Sequence, residues 1–130
     1  MPGQAEHDSV RTKDRAGAIV AAISREVVGI YSEFYGRGPS KAKTLWRDGL
    51  VICVLEEVFG RPEQILVEGG RFPQVRDHWQ ALHETFEPLL RTTIEGTTGF
   101  RVDASLAQVC SGGIAVETFI LGEHLPAALP

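Results

Sequence analysis

Two apolar, β-prone runs, Thr44-Leu-Trp-Arg47 and Leu50-Val-Ile-Cys-Val-Leu55, meet at Asp48-Gly49. A two-residue type I′ hairpin turn needs φ > 0 at both central residues, and Asp and Gly tolerate that best. The pattern therefore predicts strands over 41–47 and 50–57. The second of these holds an uninterrupted run of six apolar residues, Leu50–Leu55, which suits a strand inside a sheet. Upstream, Ile19, Ala22, Ile23, Val27, Ile30, Tyr31 and Phe34 recur at steps of three and four and form one apolar stripe. A helix is expected from about Ser9, capped by Asp8 or Ser9, to Tyr35. Gly36-Arg-Gly-Pro39 then stops it with a left-handed-tolerant residue and a proline.

The second half reads in the same way. Gly60-Arg-Pro62 introduces a short helical piece, with Pro62 at its first position. Val75, Trp79, Leu82, Phe86, Leu89, Leu90, Thr93 and Ile94 form the apolar side of a long helix over about 73–94. Pro88 should kink or restart it, and Gly96-Thr-Thr-Gly99 should end it. Alternation over 100–110 puts Phe100, Val102, Ala104, Leu106, Gln108 and Cys110 on one face of a strand. Ser111-Gly-Gly113 is a second hairpin turn, and 114–121 is the last strand. The expected organisation is a disordered lead over 1–8, one domain over 9–121 and a flexible tail over 122–130.

These elements predict an α+β fold: a two-layer sandwich built as an αββ-αββ pseudo-repeat, with a four-stranded antiparallel sheet carrying two long helices on one face. The strand order cannot be read, because two hairpins can join in more than one way. The other sheet face, expected to carry Leu45, Val51, Cys53 and Leu55, is too apolar for water. It is expected to pair with a second subunit, giving a homodimer through the sheet face.

Composition narrows the class. The chain has 130 residues, 43% hydrophobic and 23% charged, enough for one core without disulfides or metal. A formal net charge of −4 argues against a non-specific nucleic-acid binder, which needs a surplus of Lys and Arg, and against a polybasic membrane anchor. No signal-peptide core or membrane-length apolar span is visible, so the expectation is a cytoplasmic protein without direct membrane insertion. Two cysteines, Cys53 and Cys110, are expected as buried reduced thiols in strands. No cysteine–histidine cluster has zinc spacing, and no metal or cofactor is expected.

Candidate chemistry is thin. His83 lies between Trp79 and Phe86 at helical spacing, with Glu84 and Glu87 near, so a general base flanked by carboxylates is conceivable. A boundary histidine bonded to a carbonyl is the plainer expectation. Arg37, Lys41 and Lys43 could draw an anion by charge, but the Gly36 and Gly96 loops follow helix C-termini, which favour cations. The hydroxyl-rich run Arg91-Thr-Thr-Ile-Glu95-Gly-Thr-Thr98 could line a small polar pocket or simply bond back to the last helical carbonyls. Candidate ligand- or partner-binding residues are Arg37, Lys41, Trp46, His83, Arg91, Thr92 and Glu95. No Ser-His-Asp order or nucleophile elbow is present, and no enzyme is expected.

Three runs carry a family resemblance: 23–39 (ISREVVGIYSEFYGRGP), 51–57 with Leu50 (LVICVLEE) and 84–99 (ETFEPLLRTTIEGTTG). They look like the small MpsC-like (YbcI-like) family, named for a sodium-translocating, membrane-potential-generating system. The resemblance covers about residues 15–121, and the Tyr-Gly-x-Gly-Pro helix stop is its most specific feature. It implies an accessory role beside an ion or bicarbonate transport system, with a membrane transport protein as a partner, and it implies no reaction. The family's pattern is usually basic where this chain has Phe100, which weakens an anion site on that strand. Two functions follow as expectations: a non-enzymatic accessory or regulatory domain, or a small-molecule sensor with a pocket between helices and sheet or at a dimer seam. An enzyme using His83 with Glu84 or Glu87 is the third and weakest.

Overall fold

The computed structural model describes residues 2–126, with side chains from residue 14 onward. In chain order the elements are α1 (Pro2–Tyr35), β1 (Lys41–Arg47), β2 (Leu50–Glu56), α2 (Arg61–Glu68), α3 (Phe72–Thr98), β3 (Phe100–Val109) and β4 (Ala115–His124). The fold is α+β, with a four-stranded antiparallel sheet in the order β1-β2-β4-β3. The second strand of each hairpin is therefore central, and the two hairpins join through β2 and β4. Both long helices pack on the same face of the sheet. Residues 127–130 of the expected tail lie outside the described residues.

The local signals act as their chemistry requires. Asp48 and Gly49 both take positive φ, 50° and 77°, as a type I′ turn demands. At the ends of α1 and α3, Gly36 and Gly99 each sit at φ 80°, and their N–H groups reach back to the carbonyls of Ser32 and Glu95. The second hairpin is closed by Gly113 N–H to Cys110 O and Cys110 N–H to Ile114 O, with Gly113 left-handed.

Several element bounds differ from the sequence reading. The first helix starts at Pro2, ahead of Ser9: proline suits a first helical turn, and Gln4, Ala5, Glu6, Arg11, Lys13 and Arg15 are good helix formers on either side of Asp8 and Ser9. The third helix runs through Pro88 to Thr98, with Thr92 Oγ1 donating to the Pro88 carbonyl at 3.0 Å. The last strand continues past Leu121 to His124, and Leu125 N–H still donates to Gly99 O.

The core lies between helices and sheet: Ile23, Val27, Ile30 and Tyr31 of α1, Val75, Trp79, Phe86, Leu90 and Ile94 of α3, and Val51, Cys53, Leu55 and Phe119 of the sheet. This corrects the expected open face. Leu45 pairs with Ile52, not with an odd-numbered residue of β2. Since side chains alternate, Val51, Cys53 and Leu55 turn inward and are fully buried, while Leu45, at 52% exposure, turns outward with Leu50, Ile52 and Val54. Leu89 is likewise exposed, on the outer side of α3.

The third strand carries a second correction. Its register with β4 shifts on both sides of Val102. One irregular step there flips the alternation, so Val102 faces the core above the bulge while Ala107 and Val109 face it below. Leu106, expected on the same face as Val102, is 63% exposed on the opposite one. Cys110 falls just beyond β3 and is exposed, not buried in a strand; Cys53 is buried as expected.

Candidate functional site

The least expected feature of the core is a carboxylate. Glu117, on the central strand β4, is 1% exposed. Alternation aligns it with Ala115 and Phe119 on the inward face, and register sets it opposite Cys53 of β2 and Ala107 of β3. A charge so placed is tolerable only when paired and hydrogen-bonded. Tyr31 of α1 donates its hydroxyl to Glu117 Oε2 at 2.5 Å. From α3, His83 places Nε2 at 2.9 and 2.7 Å from Oε1 and Oε2, so its N–H is shared between the two oxygens. His83 itself is 8% exposed and is bonded to this carboxylate, not to a carbonyl or to Glu84 or Glu87.

The three residues come from three elements because the helical stripes and the strand alternation converge on one layer. Aromatic packing holds them there. Tyr31 and Tyr35 of α1 meet Phe86 at 5.8 and 5.3 Å between ring centroids, and Trp79 stacks on both Tyr35 and His83 at 6.2 and 5.0 Å. Burial, and then the Glu117 charge, push the Tyr31 phenol far above its ordinary range, so it remains a donor. A second polar thread runs beside it: Ser24 Oγ to Thr44 Oγ1 at 2.8 Å, and Thr44 Oγ1 to Cys53 Sγ at 3.3 Å. Burial pushes the Cys53 thiol up to about 11, outweighing the Thr44 contact, and Glu117 adds to the rise.

His83 also lines a cleft of about 470 Å³ with Gln80, Glu84, Glu87, Arg91 and Ser105. With Nε2 committed to Glu117, only Nδ1 of the ring is left for anything in that cleft. Further along the same face of α3 Arg91 Nε bonds Glu87 Oε1 at 2.5 Å, and from β3 Ser105 Oγ bonds the same oxygen. Burial alone would raise the Glu87 carboxyl, but the Ser105 and Arg91 hydrogen bonds hold it below its ordinary value. The cleft can therefore bind a small polar group between an anchored imidazole and an internally balanced Arg–Glu pair. Among the described residues no group of three or more His, Cys, Asp or Glu is placed to hold a metal ion.

Of the residues singled out by sequence, His83 and Arg91 meet in this cleft. Arg91 and Glu95 also have a structural task. Arg91 Nη1 donates to the Val102 carbonyl at 3.3 Å, and Glu95 Oε2 accepts from Val102 N–H at 2.9 Å. Both backbone groups at the bulge are thus taken up by α3 side chains. Thr92 faces a separate shallow groove between α1 and α3. Of the other hydroxyls, Thr98 bonds back to Ile94 O at 2.7 Å, while Thr97 crosses to Glu26 of α1 at 2.6 Å. Trp46 lies on the helix-covered face against Phe100, 6.0 Å between centroids, and Lys41 is exposed at the start of β1. Arg37 lines a different cavity, near Glu63. Sequence reasoning missed Glu117 and the partner role of Tyr31. The available signal was an acid on the same alternation parity as Ala115 and Phe119.

Among the described residues no helix is long and apolar enough to cross a membrane. Compared with known families, residues 15–123 match the model of a family described as "Na+-translocating membrane potential-generating system (MpsC)". No curated protein and no solved structure matches the chain.

Proposed function

The chain belongs to the MpsC family, and on that premise we propose that it is a non-enzymatic, cytoplasmic accessory or regulatory domain of a sodium- or bicarbonate-type membrane transport system, acting through protein contacts. The observation that supports this reading is the helix-free face of the sheet. Leu45, Leu50, Leu106 and Ile120 stand exposed on it, with Ile52, Val54 and Val116 between them. A contiguous aliphatic surface of this kind is a contact surface.

The occupant proposed for that face is a second copy of the chain. Strands of 7 to 10 residues, four across, make a face of roughly 450–650 Å² in plan from the usual strand spacing and rise. Side-chain relief brings this close to the roughly 800 Å² per partner of a stable interface. The apolar stripe crosses all four strands, so two copies related by a two-fold axis cover it mutually. The helical side and loops then remain for a transport protein.

Sedimentation and affinity capture test the reading. The wild-type chain is expected to sediment as a dimer, and Leu106→Lys or Ile120→Lys as a folded monomer; a monomeric wild type overturns the dimer. Capture from gently solubilised membranes with cytosol is expected to return an integral transport protein. Recovery of the chain alone with a stoichiometric metabolite overturns the accessory role. That outcome would favour a second reading, small-molecule sensing at the His83–Arg91 cleft, which the anchored imidazole supports.

A further inference from the structure

A cavity of about 220 Å³ opens between the end of α1, the β2–α2 connection and the first half of α3, away from the helix-free face and separated from the His83 cleft by Trp79, which lines both. Its walls include Tyr35, Phe59, Glu63 and Trp79, with Arg37 and His78 beside them. Among the described residues, two buried side-chain polar atoms lack a hydrogen-bond partner: Trp79 Nε1 and Glu63 Oε2. Both belong to residues lining this one cavity. One is an obligate donor and the other an acceptor. Buried polar groups are ordinarily satisfied, and a donor and an acceptor orphaned together mark a place where a third group belongs.

We propose that this cavity binds a small neutral polyhydroxylated molecule, of monosaccharide or cyclitol size, through a hydroxyl group that accepts from Trp79 Nε1 and donates to Glu63 Oε2. A hydroxyl does both at one atom, as an ordered water would. An ammonium could serve only Glu63, and a carboxylate only Trp79. Arg37 and Glu63 line the cavity with formal charges of opposite sign, so the walls do not select a strongly charged ligand. Tyr35, stacked on Trp79 with 5° between ring planes, and Phe59 supply flat apolar walls for the C–H faces of such a molecule. Gly60 keeps the site open: a Cβ there would lie 3.3 Å from Glu63 Oε2 and 3.7 Å from Arg37 Cδ.

The test follows the indole N–H resonances of the full chain, which has two tryptophans. D-glucose, myo-inositol and glycerol are titrated to tens of millimolar, and Trp79→Phe assigns the two signals. At least one of the cyclic polyols is expected to shift the Trp79 signal saturably, leaving Trp46 unmoved. Glu63→Gln is expected to weaken that response about tenfold. Gly60→Ala, at a backbone angle of φ −84° that alanine accepts, is expected to weaken it too by crowding the carboxylate. The proposal is overturned if no probe shifts Trp79, in which case the cavity holds only water. It is also overturned if Trp46 and Trp79 shift alike, or if Glu63→Gln and Gly60→Ala leave the titration unchanged. None of these results depends on the oligomeric state or on a transport partner.

Discussion

His83 Nε2 lies 2.7 Å from Glu117 Oε2, in a core where Glu117 keeps 1% of its exposure. This contact ties α3 to the central strand, and Tyr31 ties α1 to the same oxygen. Removing one partner leaves a charge with too few ligands, which costs far more than the pair itself contributes. His83→Phe keeps a ring against Trp79 but abandons the carboxylate, and should lower unfolding free energy by about 3–5 kcal/mol in urea titrations. Adding Glu117→Leu should recover part of that loss. A single variant within about 1 kcal/mol of wild type would mean that the carboxylate is satisfied without the histidine.

The two cysteines should separate cleanly. Cys110 is exposed and Cys53 buried, so a thiol reagent should label one site quickly and the other only on unfolding. The Cys53 thiol is raised from 9.0 to about 11 on folding, so the folded state holds that proton more tightly than the unfolded state. Its contribution is complete below about pH 9 and is lost as pH rises through 11. Roughly 2–3 kcal/mol of stability should disappear over that interval. Cys53→Ala should flatten this part of the pH profile, leaving the further alkaline loss from Tyr31, whose phenol is raised by burial first and by Glu117 second.

Glu87 predicts the opposite limb. Its carboxyl is held below 4.5 because the Ser105 and Arg91 hydrogen bonds outweigh its burial. The group contributes stability above that pH and loses it as pH falls through its lower folded value. Glu87→Gln should therefore reduce the steepness of acid unfolding below about pH 4.5, read from melting temperature against pH, and leave the alkaline limb alone.

The bulge at Val102 depends on α3. Glu95→Ala would strand the Val102 N–H, at a cost of about 1–3 kcal/mol, and hydrogen exchange at that amide should accelerate. A matching loss with no change in Val102 exchange would place the effect elsewhere in the helix.

The readable parts of the fold were those in which a local signal has a single physical solution. Asp48-Gly49 admits a type I′ turn and little else, and Gly36 and Gly99 end helices for the same backbone reason. The stripe Val75, Trp79, Phe86, Leu90, Ile94 is periodic enough to point the helix by itself. Alternation misled where it was interrupted: one irregular step at Val102 sends Leu106 to the opposite face. It also misled where the hairpin register was not followed through, as with Leu45. In the site, His83 was legible as a boundary ring beside aromatics, but its partner lies 34 residues away, and Tyr31 lies 86 residues from the same carboxylate. No periodicity reports a pairing at that distance. Arg91 and Glu95 looked site-like because polar residues at a helix end do, whether they meet a ligand or a kinked strand.

The order β1-β2-β4-β3 gives the sheet one seam between its hairpins, with Leu50 across from Ile120 and Leu55 across from Ala115. The chain passes from one half to the other near Gly69 and Gly70, both exposed. A protein cut there would leave α1, one hairpin and α2 in the first fragment and α3 with the other hairpin in the second, each with one naked inner strand edge whose complement is the other fragment. Expressed as two pieces, it should reassemble by completing the sheet, because the covalent link at Gly69-Gly70 lies outside everything the seam holds together.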